Sequence, residues 1–195
     1  MSRATIKEDL KSSNKNIFIT AKPVSRKISK YISYYYFDRS DDENYQRKFI
    51  FYPNYKHALT AYKNSKVVLA ENKSSVSPID TNQINTFYSI NKNKNIKVSI
   101  EGRYDKIGIV FNPLGINHFL KEPLQDIFPF DIDFFTYFGA ALNQTLEEVF
   151  TKTNVDEKAT LLDSFFEKAY NGGYFGLMVP PFSVQMVPLL EILQY

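Results

Sequence analysis

His57 and His118 are the two imidazoles of this chain, and it contains no cysteine. Disulfides, thiolate metal sites and cysteine nucleophiles are therefore excluded, and the absence of thiol chemistry leads by default to a cytoplasmic expectation. A cupin-type metal centre needs several histidines and a carboxylate converging on one strand pair; two histidines without an H-x-H pair do not supply it. His118 lies beside Phe119 on an expected helix, where a hydrogen-bonded structural histidine is the plain reading. His57 opens an expected strand after Tyr52-Pro53-Asn54-Tyr55, a setting better suited to a pocket. No G-x-S-x-G elbow is present, and no serine has a visible His/Asp partnership. All 7 glycines lie from Gly102 onward, with neither a P-loop nor a dinucleotide fingerprint among them. Asp41, Asp42 and Glu43 adjoin in an expected loop with no apolar wall to raise one pKa, which reads as a solvated turn, and Glu147–Glu148 on a helix reads the same way. The expectation is a protein that is not an enzyme and takes neither metal nor cofactor.

The aromatic load is the remaining signal, 14 Tyr and 17 Phe in 195 residues. Tyr34, Tyr35, Tyr36, Phe37, Phe49, Phe51, Phe87 and Tyr88 fall on expected strands, where the inward ones fill a core or line a pocket. Interleaved lysines would suit a single-strand nucleic-acid platform, but alternation does not sort rings and cations onto one face. The formal charge of +3 hides an asymmetry. Residues 1–100 hold 18 Lys+Arg against 8 Asp+Glu, and residues 101–195 hold 6 against 13, so the halves carry +10 and −7. A groove-reading surface would have to come from the first half, whose lysines mostly read as a solvated sheet face.

The elements that must position these side chains change character midway. Residues 96–101 alternate, with Ile96, Val98 and Ile100 on one face. Further strands are expected at 17–21, 28–37, 48–52, 57–63, 66–71 and 86–90, with turns at 38–44, 53–54, 64–65, 72–82 and 91–95. Strands following strands favour an antiparallel barrel over a parallel sheet. Residues 106–111 are apolar on both faces, which suggests a strand covered on both sides. Asn112–Pro113 then looks like an N-cap and first turn of a short helix closed by Pro123. Phe138, Leu142, Leu146, Val149 and Phe150 form one helical stripe; Leu161, Leu162, Phe165, Phe166 and Ala169 form a second, with Asn154-x-x-Glu157 as a capping-box start. Residues 183–195 read as a last helix interrupted by Pro188. The fold class expected is α+β: an antiparallel cupin-like β-barrel over 1–125, then a helical dimerisation and linker region over 126–195. No apolar run is long enough for a membrane span, and the first residues are polar rather than signal-like.

Two stretches carry a family likeness. Phe51-Tyr52-Pro53-Asn54-Tyr55-Lys56-His57-Ala58-Leu59-Thr60-Ala61-Tyr62, and above all Ile107-Gly108-Ile109-Val110-Phe111-Asn112-Pro113-Leu114-Gly115-Ile116-Asn117-His118-Phe119-Leu120 followed by Pro123-Leu124-Gln125-Asp126-Ile127, resemble the N-terminal sensing domain of AraC-type bacterial transcription regulators. The likeness extends over residues 28–170, with Asp156–Glu157–Lys158 matching the start of the family's second helix. It implies a cupin-related module for effector sensing and homodimerisation. Since the sequence stops at Tyr195, where the linker helix should begin, DNA would be reached only through a domain not present in this chain.

The leading expectation is therefore an effector-sensing or dimerisation domain that binds a small-molecule effector and contacts no membrane. The pocket candidates are Tyr52, Tyr55, His57, Tyr62 and Arg103, each joining an apolar body or a charge to a polar tip. Two alternatives are a small-molecule-binding cupin-like enzyme and a purely structural dimerisation module.

Overall fold

The computed structural model describes residues 16–52, 55–90, 95–128 and 131–172. The expected helix at 183–195, the polar stretch before residue 16, the dipeptide 53–54 and the turn residues 91–94 lie outside the described residues.

Ten strands run in the order β1 (Asn16–Ala21), β2 (Ile32–Ser40), β3 (Gln46–Phe51), β4 (His57–Lys63), β5 (Ser65–Ala70), β6 (Lys73–Pro78), β7 (Ile84–Ser89), β8 (Ile96–Glu101), β9 (Tyr104–Phe111) and β10 (Ile132–Phe134). Among the described residues three helices accompany them: α1 (Leu124–Ile127), α2 (Gly139–Thr151) and α3 (Val155–Ala169). The fold is α+β. Six strands form one antiparallel sheet in the order β1-β2-β9-β4-β7-β10, and four form a second in the order β3-β8-β6-β5. All pairings are antiparallel except β6 with β8.

The sheets are not closed into the expected barrel; the chain crosses between them repeatedly, and two of the crossings are tight corners. Asn64 takes a left-handed φ of 53° between β4 and β5, and Gly102 a φ of 67° between β8 and β9. At each corner the chain passes from one sheet to the other, so strands adjacent in sequence do not pair. Residues 28–37 are likewise not one strand: a single 3-10 turn, Ile28–Lys30, precedes β2. The expected turn at 72–82 contains β6, held between β5 and β8. β10, from beyond residue 125, adds to the six-stranded sheet at β7.

The short helix expected from Asn112 is a 3-10 turn, Gly115–His118, preceded by Leu114 at a left-handed φ of 59°. Asn112 does not cap it. Its Nδ2 donates instead to the carbonyls of Lys30 (3.0 Å) and Ser29 (3.4 Å), while its backbone N–H donates to the carbonyl of Tyr31 (2.8 Å). That carbonyl lies so close to Gly115 that a Cβ there would sit 2.1 Å from it, so a residue without a side chain is required.

α2 and α3 are joined by residues 152–154, pack on each other, and cover the six-stranded sheet. The expected stripes are the buried ones: Leu142, Leu146, Val149 and Phe150 on α2, and Leu162, Phe165 and Phe166 on α3. Asn154 caps α3 by accepting from the N–H groups of Asp156 (2.8 Å) and Glu157 (3.2 Å), a contact worth about 1 kcal/mol. One polar group breaks the apolar stripe. Asp163 of α3 accepts from the Tyr35 hydroxyl (2.6 Å) and from the backbone N–H groups of Val24 (2.7 Å) and Ser25 (2.8 Å). Ser25 also donates its hydroxyl to Glu167, one turn further along. These bonds fasten the approach to β2 against the helix. Burial raises the Asp163 pKa, and the three hydrogen bonds only partly offset it. Among the described residues no helix is long and apolar enough to cross a membrane.

Candidate functional site

Alternation gives the six-stranded sheet two interiors. Tyr35, Phe37, Leu59, Ala61, Tyr88, Ile107, Ile109 and Phe111 pack beneath the helices. Their neighbours Tyr34, Tyr36, Ala58, Thr60, Tyr62, Phe87, Ser89, Lys106 and Val110 face the four-stranded sheet, and between the two sheets lies a cavity of about 310 Å³. This is at the lower end of the ~300–1,000 Å³ typical of ligand sites.

Gly108, beneath the lining, makes room for one of its rings. Gly108 pairs with Tyr36 on one side and Thr60 on the other. A Cβ at Gly108 would fall 1.9 Å from the Tyr36 ring, so glycine lets that ring lie across β9. The Tyr36 hydroxyl and Thr60 Oγ1 meet at 3.3 Å. Phe49, Phe51, Ile96 and Val98 supply the opposite wall. Tyr62 stacks on Phe87, with ring centroids 6.0 Å apart.

One cation is set into this aromatic lining. Lys106 Nζ lies 5.0 Å from the centre of the Tyr36 ring and 5.4 Å from that of Tyr62, within cation–π range. Burial disfavours its ammonium, but Tyr36, Tyr62 and Asp38 outweigh that and hold its pKa above the ordinary lysine value. The Tyr62 hydroxyl is pushed up by burial and stays neutral. Asp38, buried on the same strand face as Tyr36, accepts from the Tyr104 hydroxyl (2.7 Å) and from Arg47 Nη1 (3.4 Å). A second lysine, Lys56, also lines the cavity and donates to Ser33 Oγ (2.8 Å). The described lining offers apolar walls, hydroxyls and ammonium groups, with no imidazole and no carboxylate.

Of the five sequence candidates, the cavity brings together two. Tyr62 is fully buried within it, and Tyr55, 71% exposed, lines its rim. Tyr52 is 63% exposed just beyond β3 and is not part of the lining. His57 is on the opposite face of β4, where Nδ1 meets the buried Tyr88 hydroxyl at 2.9 Å. His57 and Tyr62 are five residues apart on one strand, so the pleat sends them to opposite faces. Arg103 follows the Gly102 corner and bridges Glu43 (3.1 Å) and Asp80 (2.6 Å) away from the cavity. His118 packs against Tyr31, the rings tilted by 35° with centroids 4.1 Å apart, beside the helices. Lys106, Gly108 and Thr60 were missed as site residues. The signal that would have found Lys106 is a lysine opening an otherwise apolar strand.

Among the described residues no three His, Asp or Glu side chains gather as a metal site. The exposed large apolar side chains are absent from α2 and α3 and include Ile17, Phe18 and Ile19 of edge strand β1. Comparison with protein-family models, curated proteins and solved structures finds no match to this chain.

Proposed function

We propose that this chain is the effector-sensing domain of an AraC-type transcription regulator, with the effector held between the sheets and the helix pair as its output. The observation that carries the reading is that β2, β4, β7 and β9 line the cavity on one face and support α2 and α3 on the other. A ligand that fits one arrangement of these strands better than another biases the helix pair by the difference in binding free energy. The stretch that resembles the family includes β9, the strand bearing Gly108 and Lys106, and the 3-10 turn packed under the helices. In this reading the domain works as a homodimer in a bacterial cytoplasm, and DNA is contacted through a domain outside this sequence.

A thermal-shift screen of small metabolites, followed by hydrogen exchange on the hits, tests it. At about 100 times its Kd, a ligand stabilises the native state by about 2.7 kcal/mol. The hit should alter exchange in α2 and α3 and be lost in Ala58→Trp, which fills the cavity from β4. A hit untouched by that substitution would refute the inter-sheet site.

A further inference from the structure

We infer that the ligand of the inter-sheet cavity is a small organic carboxylic acid, its carboxylate set against Lys106 and its apolar body among the phenylalanine and tyrosine walls. The inference rests on the reading of this cavity as an effector site and adds the chemical class. Charge is the first ground. The described lining holds two ammonium groups and no carboxylate. The carboxylate facing Lys106 is Asp38, and Asp38 is shared with Arg47 at 3.4 Å while its other oxygen takes the Tyr104 hydroxyl. Two cations, Lys106 and Arg47, are divided over that one carboxylate, so the side of the cavity at Lys106 keeps a positive charge that a ligand carboxylate can answer, and Lys56 is a further ammonium of the lining.

The walls give the second ground. The Tyr36 and Thr60 hydroxyls are turned to each other, and Phe49, Phe51, Phe87, Ile96 and Val98 offer no hydrogen bonds. A sugar or other polyol hydroxyl set against these apolar walls would lose water without replacing it, at about 1–3 kcal/mol per group. An aliphatic or aromatic body loses nothing there and gains roughly 25 cal/mol for each Å² of apolar surface buried.

Calorimetric titration of the full chain with octanoate and 3-phenylpropionate, each beside its primary amide, tests the assignment. The acids should bind at least tenfold more tightly than the amides, and Lys106→Met should remove that preference while Lys106→Arg keeps it. Should Lys106→Met fail to fold, the acid-to-amide ratio of the unaltered chain and its decline with added salt decide the matter. Equal binding of acid and amide, unchanged in Lys106→Met, overturns the anion and leaves the cavity standing as a neutral-ligand site. If none of the four probes binds, the anion assignment and the effector site fall together.

Discussion

The two faces of the six-stranded sheet are made from alternate residues of the same strands, yet they have become different materials. On the helix side, Phe111, Phe119, Phe138, Phe165 and Phe166 make edge-to-face contacts with centroids 4.9–6.1 Å apart, and Phe166 is fully buried. Toward the second sheet, Tyr34, Tyr36, Thr60 and Lys106 surround open space. The packed face stores stability, because each ring there has partners on every side. The open face forgoes packing to keep a volume in which a guest can be recognised. The difference teaches that neither aromatic content nor strand propensity identifies a pocket; the parity of the residue does.

The contrast can be broken most severely at Phe166. Phe166→Ala should cost about 3–5 kcal/mol, read from urea or thermal unfolding, and a loss below 1 kcal/mol would deny that the helix side is close-packed. Next in size is the polar fastening on that side. Asp163→Ala leaves the Tyr35 hydroxyl and two backbone N–H groups without their acceptor and should cost about 3 kcal/mol. A smaller effect compares the faces directly, through two alanines of β4. Ala61→Leu overpacks the helix side at about 1–3 kcal/mol, whereas Ala58→Leu grows into the cavity and should change stability by under about 1 kcal/mol. Equal costs would mean that the cavity is not available volume.

The smallest effect is a pH dependence at Asp163. Its folded pKa is raised above the usual 3.8 because burial outweighs its hydrogen bonds. Its stabilising contribution is therefore complete below the unfolded value and is lost as pH rises through the folded one. Denaturation midpoints of the unaltered chain relative to Asp163→Asn should fall as pH rises from about 4 through the raised folded value. A rising difference would reverse the balance between burial and hydrogen bonding.

Legibility in the sequence followed the same division. The stripes of α2 and α3, the Asn154 cap and the alternation of β8 were readable, because each is a local pattern with a fixed period. β6 was not: Lys73-Ser74-Ser75-Val76-Ser77-Pro78 has one β-branched residue, and it is a strand because β5 and β8 flank it. β10, three residues long, gave no period to detect. The two-sidedness of residues 106–111 was visible, and β9 does separate the packed face from the cavity. Which aromatic faces which interior was latent in residue parity. His57 was grouped with Tyr62 although their spacing on one strand forbids a shared face. The open pair of sheets was not legible, because the chain crosses between them repeatedly and nothing in the periodicity of the flanking strands reports where a strand will find its partner.

The Asp163 fastening also sets an order of events while the chain is being made. Val24, Ser25 and Tyr35 wait for an acceptor 139, 138 and 128 residues downstream. At the ~5–20 residues per second of synthesis, Tyr35 precedes Asp163 by roughly 6–26 s. Once β9 is complete at Phe111, the apolar face of the nascent sheet still waits 52 residues for Asp163 without its helical cover, a condition that favours aggregation. Emergence of α3 from the ribosome is thus the moment at which this chain becomes safe from its neighbours, and slow translation of the segment leading to it would lengthen the exposure.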